Sequence, residues 1–172
     1  VSTLVLVYTR DLDVLLLDDY RRQAHVTLAL CGFPCDTPRH ADDFGPEALA
    51  RQLAALEASG VEAFTLQVGR LASFTSAPFL AVHDAGGGIA RLRRALTGNT
   101  AEPGGPYTPH VTVGLYAGAW PTAEVLPRLD AFDAGPPLSC TIDSVSLMRY
   151  AAPDIGGPLE TLGRFRFGHG FG

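Results

Sequence analysis

The sequence predicts an α+β protein built by internal duplication, and three observations carry that reading. The segments His25-Val26-Thr27-Leu28-Ala29-Leu30 and His110-Val111-Thr112-Val113-Gly114-Leu115 agree in four of six positions, and the 85-residue offset between their histidines is close to half of the 172-residue chain. Self-similarity of this kind marks a repeated structural unit. Each copy is followed by the same succession of helix-like and strand-like runs, so both halves read strand, helix, strand, strand. A hydrophobic content of 47% then suffices for one compact domain or two small lobes sharing a core. The division is a first half of about 1–96, a linker of about 97–106 and a second half of about 107–172, forming one domain over 1–172 whose lobes can exchange terminal strands.

The elements follow from local pattern. Residues 1–8 make an apolar first strand. After the first H-x-T segment, Leu49, Leu53 and Leu56 fall on one face of a helix over 46–59, with Pro46 at a first-turn position and Gly60 just past the end. Strands at 64–68 and 78–82 come next. A further helix over 88–96 carries an apolar stripe of Ile89, Leu92, Ala95 and Leu96, and Arg91, Arg93 and Arg94 are expected on its solvated face. The stretch 97–108 is dense in Gly, Pro and Asn and reads as a linker or mobile loop. After the second H-x-T segment come a shorter helix near 122–132, a strand over 140–147 and a strand over 162–167. The loop 151–158 between those strands is a candidate flap near a cleft, and 168–172 is a terminal tail.

Charge and composition exclude several classes. The formal net charge is −5, and the thirteen basic residues are all arginines, spread from Arg10 to Arg166 without a dense run. A protein that grips long duplex nucleic acid needs a concentrated basic surface, whereas two or three arginines in a cleft suffice for a short or single-nucleotide phosphate. Cys31, Cys35 and Cys140 cannot all pair with one another, and they read as buried free thiols of a reducing compartment. The C-x-x-x-C of Cys31 and Cys35 lacks zinc-site spacing and a second pair to complete it, so no metal is expected there. Acidic residues at 11, 13, 18 and 19 interrupt the richest apolar stretch, and no leader pattern opens the sequence. A soluble, cytoplasmic protein without membrane contact is the expectation.

The repeated segments carry the chemistry. Side chains alternate along an extended strand, so His25 and Thr27 share one face while Val26, Leu28 and Leu30 take the other. His110 and Thr112 repeat the arrangement against Val111, Val113 and Leu115, and Pro109 suits a strand's first residue. A pseudo-twofold axis would turn both histidines into one groove. Displacement at phosphorus needs a base for the attacking oxygen and an acid for the leaving oxygen, and an imidazole serves either purpose near neutral pH. Threonine hydroxyls would donate to the non-bridging oxygens, where charge builds up. A metallohydrolase using His25 and His110 as ligands fits less well, because no close His or Asp partner accompanies them and hydroxyls are poor zinc ligands.

With H-V-T-L at His25 and Tyr107-Thr108-Pro109-His110-Val111-Thr112-Val113 at the second copy, the chain resembles the two-histidine (2H) phosphoesterases. That family includes the 2′-5′ RNA ligase-like proteins and the cyclic phosphodiesterases, and the resemblance spans nearly the whole chain. It implies a bilobal α+β fold with two antiparallel sheets lining a central cleft and helices outside. It also implies a phosphodiesterase that needs no metal or other cofactor. Its substrates would be nucleotides or short RNA ends bearing 2′,3′-cyclic phosphates or 2′-5′ linkages. The family's catalytic roles fall on His25, Thr27, His110 and Thr112, with either histidine as base. Relatives of the RNA ligase-like type often carry an arginine shortly after the second motif, where this chain has Gly114-Leu115-Tyr116.

Arg149, Arg164 and Arg166, in later strands, are candidates for that charge, and Arg164 and Arg166 share a face by alternation. Tyr107, Phe74 and Tyr150 are candidates for stacking on a base. His40, His83 and His169 have no partner pattern. The rival reading is a nucleotide- or RNA-binding module with the same cleft and little chemistry. Binding alone has no need of a matched acid and base, and two complete motifs count against it.

Overall fold

The computed structural model describes residues 10–98, 106–132 and 135–172; the strand expected at 1–8 and most of the linker expected at 97–106 lie outside them. Helix α1 (Arg10–Asp13) leads into two short strands, β1 (Phe33–Pro34) and β2 (Asp43–Phe44), and then into α2 (Pro46–Ala58). Strands β3 (Phe64–Ser73) and β4 (Pro78–His83) follow, then α3 (Gly88–Thr97) and β5 (His110–Thr112). The chain closes with α4 (Thr122–Asp130), β6 (Leu138–Ile142), β7 (Ser144–Arg149), β8 (Glu160–Arg166) and β9 (Gly170–Phe171).

The α+β class is seen directly. Two antiparallel sheets carry the described structure, one in the order β5-β4-β3-β6 and the other in the order β7-β8-β9, beside a small parallel pair β1-β2. The first sheet draws β3 and β4 from the first half of the sequence and β5 and β6 from the second. Strands β3 and β4 shift register between Gly69 and Leu71, and β4 pairs with β5 with Val111 opposite Leu80 and His110 opposite Ala81.

Two sequence expectations are corrected here. The single strand expected over 140–147 is two strands in different sheets: β6 pairs with β3, β7 pairs with β8, and the break falls at Asp143. Asp143 carries the turn by accepting from the Phe167 amide on its carbonyl and from the Ser144 hydroxyl on its carboxylate. The first H-x-T segment, expected as a strand, belongs to no strand ladder among the described residues. The carbonyls of Thr27 and Leu28 accept from the Tyr107 hydroxyl and the Arg93 guanidinium, side chains standing where a neighbouring backbone would.

Two apolar clusters hold these layers. One joins Leu12, Leu15 and Leu16 to the inner faces of β3, β4 and β5 and to Val125 and Leu129 of α4. The other joins Leu56 of α2, Leu92 of α3, and Phe165 and Phe167 at the end of β8. Helix α3 spans both, through Ile89 in the first and Leu92 in the second. Its start is fixed by Asp84, whose carboxylate accepts from the Ile89 amide at 2.7 Å, one of the donors a helix start leaves unpaired. Gly88 lets that first turn lie on the Phe64 ring, where a Cβ would come within 2.5 Å of ring carbons.

Leu92 is 1% exposed and sits where α3 meets the second cluster. Leu92→Ala should lower unfolding stability by about 2–5 kcal/mol through lost burial and the cavity left behind. Urea denaturation reads the loss directly, and a change below about 1 kcal/mol would contradict this packing role.

Candidate active site

The two histidines are anchored in the same way. In each, ring Nδ1 lies 2.7 Å from the carbonyl oxygen two residues earlier, that of Gln23 for His25 and that of Thr108 for His110. A carbonyl can only accept, so Nδ1–H donates in both rings and a neutral imidazole presents its lone pair at Nε2. Both rings are half-buried.

Alternation sets the faces from His25 to Leu28 as the sequence implied, whereas Leu30, expected on the apolar face, is 82% exposed. Val26 and Leu28 pack on the apolar core, which leaves His25 and Thr27 on the opposite side of the segment. On β5, Val111 is 4% exposed within the core, and His110 and Thr112 share the other face with their cross-strand partners Ala81 and Phe79. The hydroxyls of Thr27 and Thr112 bond to none of the described residues, which leaves both available to a ligand oxygen. The ring of Phe74 stands edge-on to His110 at 4.9 Å and stacks on Phe79 at 4.2 Å, so the imidazole leans on an aromatic pair.

The two motif segments are tied together. Tyr107, three residues before His110, donates its hydroxyl to the Thr27 carbonyl at 2.8 Å, and Arg93 of α3 lies over the Tyr107 ring at 3.5 Å. The same guanidinium donates to the Leu28 carbonyl. Arg93, read from sequence as part of a solvated face, is therefore half-buried and engaged, whereas Arg94 beside it is exposed. Helical spacing separates the two, since Arg93 follows Ile89 by four residues and precedes Leu96 by three, at the border of the apolar stripe, while Arg94 lies opposite that stripe.

A second set of contacts fastens the loop 150–159 beside His25. Arg21 pairs with Asp154 at 2.8 Å, Arg22 donates to the Gly157 carbonyl and lies 4.2 Å from the centre of the Tyr150 ring, and the Gln23 side chain bonds both the carbonyl and the amide of Leu159. Sequence reasoning passed over Arg22 and Gln23, because their partners lie 135 and 136 residues away and no local pattern marks them. Burial is the main cause that lowers the proton affinity of His25, and the charges of Arg22 and His110 add to it, against the bond to the Gln23 carbonyl.

The other candidates are spread more widely. Arg149 is held in a two-pronged ion pair with Glu160, at 2.8 and 3.1 Å. Arg164 and Arg166 lie exposed on β8, lining a hollow with His169 and Phe171. Tyr150 borders another hollow with Arg149 and Leu159. At Gly114, where relatives often carry an arginine close by, a Cβ would come 2.7 Å from Leu16, and the following residues bond to the stretch 15–17. This stretch is committed to packing. All three cysteines are free and half-buried rather than fully buried. Among the described residues no three His, Cys, Asp or Glu side chains gather as a metal site, and no helix is long and apolar enough to cross a membrane.

The family model of the 2′-5′ RNA ligase superfamily matches residues 12–154. The chain belongs to the 2′-5′ RNA ligase superfamily. The resemblance drawn from the paired H-x-T motifs is thereby upheld, and membership supports phosphodiesterase-type activity in general. The fold is similar to that of Escherichia coli LigT, solved in complex with 3′-AMP, with a TM-score of 0.54 and 16% identity over 85% of this chain and 78% of LigT. No curated protein matches the chain.

The pH dependence of this superfamily member's stability follows from His25. Its folded proton affinity lies below the ordinary value of 6.5, so just beneath that pH the unfolded chain binds the proton more readily than the folded one. Stability should fall as pH drops through the window beneath about 6.5, and His25→Gln should flatten that slope. Thermal midpoints of both proteins across the window test this, and parallel slopes would refute it.

Proposed function

We propose that this protein is a metal-independent phosphodiesterase that opens 2′,3′-cyclic phosphates, or cleaves 2′-5′ linkages, at nucleotide or RNA ends, with His25 and His110 as base and acid. The observation that carries the reading is the matched anchoring of the two rings. Equivalent positions of two motif copies hold Nδ1 on a carbonyl and free Nε2 for proton transfer. A bilobal duplication related by a pseudo-twofold axis accounts for that equivalence.

In the hydrolytic direction, Nε2 of the base takes a proton from water as its oxygen attacks phosphorus. The acid delivers its Nε2 proton to the departing ribose oxygen as the P–O bond breaks, so each ring finishes in the state the other began in. Burial favours a neutral His25, which suits it to the base role, and the acid role then falls to His110. The Nδ1 bonds hold ring orientation through both protonation states, since Nδ1–H is present in imidazole and imidazolium alike. Thr27 and Thr112 donate to the non-bridging oxygens, where preorganised donors are worth most. Phe74, 38% exposed and against His110, is the aromatic side chain placed to hold a base.

His25→Ala and His110→Ala should each lower kcat for a nucleoside 2′,3′-cyclic phosphate by about 10²–10⁴. The wild-type pH–rate profile should be bell-shaped, and turnover should survive a chelator. Full activity in both variants, loss of activity in chelator with recovery on adding zinc, or nucleotide binding without turnover would each overturn the assignment.

Tyr107→Phe should leave the Thr27 carbonyl without its partner and cost about 1 kcal/mol of stability. Because that bond ties one motif to the other, kcat should fall while KM stays near its original value. An unchanged kcat would show that the tie has no bearing on catalysis.

A further inference from the structure

Residues 21–23 grip the loop 150–159 one after another. The Arg21 amide donates to the Gly156 carbonyl at 2.7 Å while its guanidinium pairs with Asp154, and Arg22 donates to the Gly157 carbonyl. Gln23 closes the series with two bonds from one side chain. Its Nε2 donates to the Leu159 carbonyl at 3.1 Å, and its Oε1 accepts from the Leu159 amide at 2.8 Å. A primary amide that donates to and accepts from one residue does what a paired residue of a neighbouring strand would do. The approach is close, since Gly156 is buried and a Cβ there would lie 3.4 Å from the Tyr20 Cα.

Through its main chain, the same Gln23 supplies the carbonyl that holds Nδ1 of His25 at 2.7 Å. One residue thus binds the loop with its side chain and the imidazole with its backbone. The other histidine has a different support. His110 lies in β5 opposite Ala81, and the Pro109 carbonyl accepts from the Val82 amide at 3.2 Å, so the sheet itself steadies the Thr108 carbonyl beside it. The His25 segment joins no ladder among the described residues. Tyr107 and Arg93 secure it only after the histidine, at the carbonyls of Thr27 and Leu28. Before the histidine, the long-range bonds that residues 21–23 make within the described structure all run to the loop.

We propose that Gln23 is a positioning residue for His25: its side-chain amide, locked on Leu159, fixes the carbonyl that orients the imidazole, and the loop 150–159 is a brace for that ring rather than a flap. An imidazole whose acceptor wanders divides between its two tautomers, and the Nε2–H form has no lone pair at the position where a base is needed. The bearing on catalysis rests on the phosphodiesterase reading above, whereas the orientation of the ring is independent of it.

NMR of the ring nitrogens, with both histidines neutral, reads the tautomers directly. Wild type should show Nδ1–H at His25 and at His110. Gln23→Met keeps the length of the side chain and removes both bonds to Leu159, so His25 should become a mixture of tautomers while His110 stays as it was. Gln23→Asn, whose amide is one methylene short of Leu159, should do the same, and it carries the test if the methionine variant fails to fold. On a nucleoside 2′,3′-cyclic phosphate both variants should lose about 10- to 100-fold in kcat, the scale of a small misplacement of a reacting group, with KM near its original value. Unaltered ring signals at His25, the same mixture at both rings, or an unchanged kcat in an active enzyme would overturn the proposal. If wild type turns over no cyclic phosphate, the phosphodiesterase reading fails, and the ring signals alone then decide whether Gln23 positions His25.

Discussion

Both candidate catalytic rings depend on a hydrogen bond from their own chain, Nδ1–H to the carbonyl two residues earlier. This is a short-range device. It requires only an extended backbone whose residue before the histidine directs its predecessor's carbonyl back to the ring, and it fixes the tautomer and the ring plane together. A histidine held in this way needs no carboxylate partner, and neither ring has one among the described residues. The electrostatics of the site are accordingly spare. A neutral imidazole beside a second one stays neutral more readily, because burial and the neighbouring positive charges oppose protonation.

What the short-range bonds cannot supply is the relation between the two rings. That comes from packing and from a few long-range polar ties. Apolar residues alternate with the functional ones in both motifs and fasten each segment to a shared core, through Val26 and Leu28 in one and Val111 and Val113 in the other. Tyr107 and Arg93 then close the gap between the segments by binding two consecutive carbonyls, those of Thr27 and Leu28. Two carbonyls of the segment are thereby satisfied by a phenol and a guanidinium. The histidine-bearing stretch can thus remain extended without being part of a ladder.

Much of this was legible in the sequence, and the boundary of legibility is physical. Repetition exposed the two motifs, and period-two alternation divided their residues between core and open face as far as Leu28 and Val113, while Leu30, expected on the apolar face, stands exposed. Pro46 and Gly60 marked the ends of the longest helix within one or two residues, because their backbone constraints are local. The division of 138–149 between two sheets was not legible, since Cys140 through Leu147 form one β-prone run and only the choice of partner separates them. Arg93 was misread for a similar reason. It stands at the border of the apolar stripe, and from there a long side chain reaches the Leu28 carbonyl, a partner no local pattern names. Gly114 is another long-range case, since only the fold brings Leu16 so close that a side chain there would have no room.

Strands β6 and β7 meet at Asp143 with no slack between them, and each is bonded into a different sheet. A loop at that point would let the sheets slide past one another independently. A single residue removes that freedom, so the end of β6 and the start of β7 are held together at Asp143 whatever else the two sheets do.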